Sequence, residues 1–279
     1  SIGKPAGAGI YFVLVYIIAS ILFLPLSLPI GLFYALVFLS MLFGFLDDRA
    51  DKPWHEYFKG LLDLLLSVST AIVYAFFYGT TINLPFFKAG FDMPFVLFVI
   101  LASLLVWAAI NVTNCTDGVD GLSGSMTIIS LVSFITLSYL NRVHSDWNYS
   151  LVVLIFALLV YLFFNTNPSQ LLMGDAGSRA LGIVLAISAL HTGSPFSYLI
   201  ICLLFIVDGS AGILKISFKR FFGILIFKNI TTPIHDHFRE RASQPDKKYQ
   251  LKNQTLTMRF SIVHALICLF YLMFVYVFR

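Results

Sequence analysis

Apolar runs about twenty residues long recur along the whole sequence, and they restrict the fold more than any other feature. Roughly 20 apolar residues is the length that an α-helix needs to cross the hydrocarbon core of a bilayer. The runs are continuous stretches of Leu, Ile, Phe and Val, unlike the short alternating segments of a transmembrane β-barrel. Only 11% of the 279 residues are charged, whereas soluble domains carry roughly 25%. The sequence therefore predicts an all-α, polytopic transmembrane helical bundle.

Nine segments are predicted to span the membrane. No internal repeat and no separate soluble domain is visible, so residues 1–279 are predicted to form one membrane domain. The predicted spans cover residues 8–26, 28–46, 59–79, 94–112, 122–140, 149–165, 179–193, 197–216 and 260–278.

The basic residues orient the predicted bundle. If the segment before the first span faces the cytoplasm, all Lys and Arg residues except Lys88, Arg142 and Arg279 lie on or at the edge of that side. This bias satisfies the positive-inside rule. The last cytoplasmic segment, 217–259, is a basic loop that includes Lys247 and Lys248. Most acidic residues share this side, although topology does not need them there, so their clustering predicts a chemical role.

Three acidic segments follow predicted spans on that side. FLDD places Asp47 and Asp48 at the end of a span, where carboxylates oppose the helix dipole. NVTNCTDGVDGL offers Asn114, Asp117 and Asp120 within two Asp-Gly turns, beside the N-terminus of the next helix, which favours anions such as phosphate.

The third acidic segment, FFNTNPSQLLMGDAGSRALG, contains Asn165 and places Asp175 between small residues that allow a metal–phosphate group to approach closely. Asp63 and Asp208 lie inside apolar runs, where an ionisable residue faces either a partner helix or a polar cavity. His191 and His264 are predicted to be packed or hydrogen-bonded inside the bundle.

The stretch TTPIHDHFRE, residues 231–240, places His235 and His237 on either side of Asp236 in the predicted basic loop. Two histidines alone are a weak metal signal, because zinc sites take further Cys or His ligands. The shared membrane face brings these histidines together with the three acidic segments. Carboxylates and basic groups at one face suit Mg²⁺-assisted transfer of a phosphoryl group between a soluble nucleotide and a lipid.

These motifs resemble the polyprenyl-phosphate N-acetylhexosamine-1-phosphate transferase superfamily, and most closely its phospho-MurNAc-pentapeptide transferases, the MraY type. The resemblance covers nearly the whole chain, through GKPAGAG, FLDD, NxxNxxDGVDGL, FNTNPSQLLMGDAGSRALG and PIHDHF in that order. Members of this family resemble ten-span proteins, so the first family span is expected to be missing before Ser1. Asp236 stands where the family usually has a third histidine, and the segment after FLDD partly resembles the GlcNAc-1-phosphate transferases.

The resemblance implies transfer of phospho-MurNAc-pentapeptide from UDP-MurNAc-pentapeptide to undecaprenyl phosphate, giving lipid I and UMP in the first membrane step of peptidoglycan synthesis. It implies Mg²⁺ as cofactor with Asp175 as its ligand, and a bacterial inner membrane with the active site facing the cytoplasm. The implied catalytic residues are Asp47, Asp48, Asp175, His235 and His237. The implied substrate-binding residues are Lys4, Asn114, Asp117, Asp120 and Asn165.

Two mechanisms and two other functions stay open at this stage. An Asp of the 47/48 pair takes the proton from the lipid phosphate for direct attack, or an aspartyl-phosphate intermediate forms. The alternative donor is UDP-GlcNAc, and the remote alternative is an ion-coupled transporter marked by Asp63 and Asp208. Membrane lipid is an expected partner and nucleic acid is not. The sequence does not decide between a monomer and a homodimer.

Overall fold

In the computed structural model, the chain is an α-helical bundle with one minimal β-ribbon. The structure describes residues 4–84, 90–143, 145–242 and 253–278. Five basic residues of the topology argument lie outside these ranges, namely Lys88, Lys247, Lys248, Lys252 and Arg279.

The helices follow the predicted spans closely. The elements in chain order are α1 (Gly9–Phe23), α2 (Leu28–Arg49), α3 (Glu56–Tyr78), β1 (Thr81–Ile82), β2 (Phe91–Asp92), α4 (Phe95–Thr116), α5 (Leu122–Leu140), α6 (Trp147–Asn165), α7 (Gly174–His191), α8 (Tyr198–Ile201), α9 (Leu203–Phe222), α10 (Ile234–Ala242) and α11 (Asn253–Phe278). The two strands pair antiparallel, with Thr81 opposite Asp92. The all-α prediction is confirmed.

Six helices are long and apolar enough to cross a membrane: α2, α3, α4, α5, α6 and α11. The α8–α9 pair adds a seventh if it counts as one broken span. The predicted number of nine is therefore higher than the length and composition of the described helices support. Helix α1 has only 15 residues, and α7 contains charged residues near its start and a histidine at its end.

Helix α7 is the centre of the bundle, which explains its composition. Every residue from Ala176 to His191 is buried. The helix packs most extensively against α2 and α4, and also against α1 and α5. Because protein rather than lipid surrounds it, α7 can retain polar side chains that have partners on neighbouring helices.

Residues 197–216, predicted as one span, form two helices at a sharp angle instead of one straight helix. The chain bends by 81° between Pro195–Ile201 and the following helix, and Cys202 stands at the break. The break contains neither proline nor glycine, so the local sequence carries no kink signal. Cys202 and Phe205 are fully buried beside the break, which indicates that packing sets the direction of α9.

The bundle has two distinct ends. At one end, the C-terminus of α2 contacts the N-terminus of α7, and Gly121 contacts Asn165 at the end of α6. We call this the acidic end. At the opposite end, Tyr78, Trp147 and His191 form a ring cluster near the β-ribbon. All three acidic segments lie at the acidic end, and its orientation toward the cytoplasm stays a prediction.

Candidate active site

The end of α2 meets the start of α7 at very short range because glycines line the contact. Gly174 has a φ of +67°, and a β-carbon there would overlap the carboxylate of Asp48. A β-carbon on Gly44 would overlap the backbone of Asp175. The N–H of Ala176 donates a 3.4 Å hydrogen bond to Oδ2 of Asp48. The first turn of α7 therefore presents Asp175 directly beside Asp48.

The adjacent acids Asp47 and Asp48 have different surroundings. Asp47 is buried, accepts a 2.9 Å hydrogen bond from the N–H of Trp54, and forms an ion pair with Lys59 of α3. Asp48 turns toward α7, as expected for successive helix positions about 100° apart. Asp47 thus joins the α2–α3 connection to α3 and also interacts with the carboxylate of Asp175. Asp48 faces the backbone N–H groups of the first turn of α7 and lies within electrostatic range of Asp175.

Asp175 is half-buried in the first turn of α7. The amide of Asn114 interacts with its carboxylate. Asn114 also accepts a 3.2 Å hydrogen bond from the hydroxyl of Ser178. Asn114 lies inside α4, which continues to Thr116, rather than in the predicted loop. The last turn of α4 therefore contributes a side chain to the carboxylate cluster.

Asp117 directly follows α4 and adds a further carboxylate. Loss of hydration raises the pKa of Asp117 to about 7, and the negative charges of Asp175 and Asp48 act in the same direction. His235 opposes this rise. Carboxylates that raise one another's pKa in this way occur where a fold prepares a site for a cation or a proton.

Asp120 and Asn165 have their hydrogen-bonding groups engaged within the protein. Asp120 accepts bonds from the backbone and hydroxyl of Ser169, the latter at 2.8 Å. The side chain of Asn165 accepts from the N–H of Gly121 and donates to Leu171 O, both at 2.8 Å. These bonds hold the turn after α4 against the segment after α6.

Lys4 reaches the same place from the N-terminal segment. Its ammonium donates a 2.7 Å hydrogen bond to the hydroxyl of Ser169 and lies 3.7 Å from the Asp120 carboxylate. Its side chain remains about one-third exposed. Lys4 therefore adds a positive charge at the rim of the acidic end.

His235 lies in α10, a helix within the segment 217–259 that the sequence predicts to be a loop. It is 1% exposed. Asp208 of α9 accepts two 2.8 Å hydrogen bonds from this residue, one from its backbone N–H and one from Nδ1. The other ring nitrogen, Nε2, faces Gly118, where a β-carbon would overlap it. Asp208 therefore fixes the ring with Nε2 directed at the Asp117–Gly118 turn.

His237 and Asp236 have other surroundings than His235. Nδ1 of His237 accepts a 3.3 Å hydrogen bond from the N–H of Thr231. The carboxylate of Asp236 lies 3.0 Å from the guanidinium of Arg239, one turn further along α10, and 3.8 Å from Nε2 of His235. The structure therefore joins His235, and not His237, to the acidic turn after α4.

Several partners of the site were missed by sequence reasoning. Lys59 and Trp54 hold Asp47, and Ser169 holds Asp120. Arg179 of α7 forms a buried ion pair with Asp63 of α3. The position of Arg179 at the start of an apolar run, four residues after Asp175, could have indicated an acidic partner on another helix. Arginine is almost never fully buried without such a partner.

The described residues contain no group of three or more His, Cys, Asp or Glu side chains arranged to hold a metal ion. Magnesium does not need such a group, because it is usually bound by one or two carboxylates together with substrate phosphates and water. Asp175, with Asp48 across Gly174 and Asp117 within electrostatic range, offers that kind of donor set. The donors therefore fit a divalent cation that is shared with an anionic substrate.

Comparison with known proteins identifies relatives along most of the chain. The sequence profile of glycosyl transferase family 4 matches residues 30–193. The chain is similar to the phospho-N-acetylmuramoyl-pentapeptide-transferase of Treponema pallidum, with 36% identity over 95% of this chain and 76% of the relative. It is also similar to the enzymes of the same name from Fervidobacterium nodosum and Staphylococcus saprophyticus. Each is 31% identical over 85% of this chain, covering 74% and 76% of the relative.

Proposed function

Because the chain belongs to glycosyl transferase family 4, and within it to the phospho-N-acetylmuramoyl-pentapeptide-transferases, we propose that it transfers phospho-MurNAc-pentapeptide from UDP-MurNAc-pentapeptide to undecaprenyl phosphate. The products are lipid I and UMP. The family is consistent with a divalent metal requirement, and we propose Mg²⁺. The protein is a multi-pass membrane protein, and we propose the bacterial inner membrane with the acidic end facing the cytoplasm.

The observation that carries this proposal is the approach of the Asp48 and Asp175 carboxylates where the end of α2 meets the glycine-lined start of α7. Folding alone would avoid two carboxylates at this range, since like charges there disfavour each other. The arrangement is useful where one acid must hold a cation and the other must accept a proton. Transfer between a lipid phosphate and a nucleotide diphosphate needs both.

Asp48 is the better candidate for the base. Asp47 already forms an ion pair with Lys59 and accepts a hydrogen bond from Trp54, which leaves it little capacity to take a proton. Asp48 accepts backbone hydrogen bonds from Ala176 and Asp175 but forms no ion pair with another described residue. In the proposed step, Asp48 takes the proton of the undecaprenyl phosphate, and the freed oxygen attacks the β-phosphorus of the UDP-sugar. The bond from that phosphorus to UMP breaks, and UMP leaves as an anion.

Asp175 is the residue proposed to hold Mg²⁺. When bound there, the ion would supply positive charge against the diphosphate of the donor. Asn114 orients the carboxylate of Asp175. Lys4 at the rim can attract the anionic nucleotide.

His235 is proposed to donate to a phosphate or sugar oxygen next to Asp117. Asp208 holds its Nδ1, which directs Nε2 toward the turn after α4. A carboxylate behind a histidine fixes the orientation of its ring. Asp120 and Asn165 are proposed to shape this turn through their internal hydrogen bonds rather than through direct substrate contact. His237 is assigned a supporting role.

The experiment that tests this function offers the purified protein either UDP-MurNAc-pentapeptide or UDP-GlcNAc, each with undecaprenyl phosphate and Mg²⁺. We expect UMP and a lipid-linked product with the first donor, and neither without the lipid acceptor. Turnover with UDP-GlcNAc alone would replace the proposed function by GlcNAc-1-phosphate transfer. Absence of UMP with both donors, in protein that is folded, would contradict a transferase of this class.

A further inference from the structure

A buried ion pair lies one helical turn below the proposed metal residue, between Asp63 of α3 and Arg179 of α7. Their side chains are 4% and 3% exposed. Arg179 follows Asp175 by four residues, so the two side chains lie on the same face of α7. Neither member of the pair has a role in the steps described above.

Stability alone is a poor explanation for this pair. Removing two charges from water costs several kcal/mol per ion, and apolar pairs of similar volume often stabilise a fold equally well or better. The pair is also incompletely satisfied, because Nε of Arg179 is buried and has no hydrogen-bond partner. A charge kept under these conditions points to a use for the charge itself.

Arg179 acts electrostatically on the site. Among the charged groups around Asp175, Arg179 gives its carboxylate the largest stabilisation, ahead of Lys59. Lys59 and Arg179 each also pair with another acid, Asp47 and Asp63 respectively. Arg179 is the one that lies on α7 itself, one helical turn from Asp175 on the same face, so its charge is placed to offset part of the negative charge of the carboxylate cluster.

Arg179 also ties the start of α7 to a third helix. The backbone of the first turn rests on Gly44 of α2, and that of Gly177 rests on Gly9 of α1. The ion pair adds α3. With contacts on three sides, the turn that carries Asp175 has a fixed position relative to Asp48.

We propose that Arg179, held by Asp63, is a positioning residue for Asp175: it fixes the first turn of α7 and supplies the positive charge that partly offsets the carboxylate cluster. This inference rests on the proposed function in that Asp175 is taken as the cation-holding residue. The pair thereby sets how strongly the site attracts a divalent cation and how much it repels an anionic donor.

The decisive variant removes both charges at once, Asp63→Leu with Arg179→Met. Because an apolar pair can replace a buried ion pair without loss of stability, this variant is expected to melt within about 3 °C of the parent in detergent. Its kcat/KM is expected to fall roughly 10- to 100-fold, the usual effect of losing a residue that supports a metal ligand. The Kd for Mn²⁺, measured by electron paramagnetic resonance without substrate, is expected to change as well.

Two further variants separate charge from packing. Arg179→Lys keeps the positive charge but not the planar guanidinium group. It should restore part of the kcat/KM that the double variant loses, together with parental Mn²⁺ binding. Ser188→Ala is the matched control, since it removes a buried hydrogen bond to Trp147 further along α7 and should leave kcat/KM and the Mn²⁺ Kd unchanged.

Parental turnover together with parental Mn²⁺ binding in the folded double variant would overturn the proposal. If the double variant does not fold, Asp63→Asn, which keeps Arg179 and the volume, takes its place. The proposal then expects weaker Mn²⁺ binding and slower turnover, and parental values of both would overturn it. Mn²⁺ binding needs no sugar nucleotide, so this outcome is independent of whether the parent prefers UDP-MurNAc-pentapeptide or UDP-GlcNAc.

Discussion

The two ends of α7 bury polar side chains in opposite ways. At its start, Asp175 lies among carboxylates, beside Asp48 and near Asp117. At its end, His191 is enclosed by the rings of Phe33, Tyr74, Tyr78 and Trp147, with centroids 4.6 to 5.8 Å away, and shares a 2.9 Å hydrogen bond with Ser145.

This contrast shows which kind of burial indicates function in a membrane bundle. His191 needs only to be neutral and enclosed, and its surroundings provide both. Loss of hydration and the nearby Asp47 oppose the ionisation of Asp175, whereas Arg179 and Lys59 favour it. Such opposing influences suit a carboxyl that takes up a cation or a proton. Both ends of α7 therefore bury polar groups. Among the described contacts of α7, carboxylates held close together occur only at the acidic end.

The largest expected effect comes from Asp175→Ala. Loss of the proposed cation ligand should lower Mg²⁺-dependent UMP release on the order of 10³-fold. The α7 backbone should stay in place, since glycine contacts hold the first turn. Rates are measured by UMP formation and folding by thermal unfolding in detergent. Retained turnover in the folded variant would remove Asp175 from the cation site.

The next largest effects are expected at the two acids of FLDD, where the two substitutions should have different consequences. Asp48→Asn is expected to cost about 10²- to 10³-fold in kcat, as for loss of a general base, with little change in melting temperature. Asp47→Asn leaves Lys59 without its carboxylate, so a lower melting temperature and a smaller rate loss are expected. The reverse pattern would exchange the proposed roles.

The two histidines of α10 provide a third comparison. His235→Gln should reduce kcat/KM roughly 10- to 100-fold, and Asp208→Asn should do the same, since it releases the ring. His237→Gln and Asp236→His should each stay within about threefold of the parent. A collapse of turnover in folded Asp236→His would show that this position takes part in the chemistry.

The pKa of Asp117 gives a pH-dependent prediction. In the folded protein this carboxyl holds its proton up to about pH 7, whereas a free Asp loses it near pH 3.9. Without a divalent cation, the folded state therefore loses stability as the pH rises from about 4 to about 7. Asp117→Asn should remove this loss, so its melting temperature should exceed that of the parent at pH 8 but not at pH 4. An equal difference at both pH values would contradict the assignment.

The smallest effect is expected at the opposite end of α7. His191→Leu removes one hydrogen bond from a ring cluster that stays apolar, so the unfolding free energy should change by about 1 kcal/mol. Turnover should equal that of the parent. A large loss of activity with intact folding would remove the distinction between the two ends.

Much of the fold was predictable because apolar length locates helices in a membrane protein. The predicted spans differ from the helices mainly at the acidic end, where α2, α4 and α7 continue beyond the apolar run. Asp48, Asn114 and Asp175 therefore lie in terminal helical turns. Hydropathy identifies the part of a helix that contacts lipid. It therefore misses the terminal turns of a helix whose end lies in a polar protein environment.

The site was predictable as a set of residues but not as a set of contacts. The alternation of the chain between the two membrane faces places the acidic segments at one end. It does not determine which side chains of each helix face a neighbouring helix. The choice between Asp47 and Asp48 depends on which one faces α7. The pairing of Asp63 with Arg179, and of Asp208 with His235, depends on which helices are neighbours.

The glycines at the acidic end have a consequence for how such a sequence can diverge. Gly9 and Gly44 let backbones touch, so no neighbouring side chain can shrink to admit a larger residue there. Gly174 has a φ of +67° and lies against the carboxylate of Asp48, so a side chain there would be strained and would displace that acid. Exposed positions such as Phe156 and Phe270 meet no such limit. Substitutions can therefore accumulate on the lipid-facing surface while these three positions remain glycine. In a saturation mutagenesis library, these three glycines should be the positions least tolerant of substitution apart from the carboxylates.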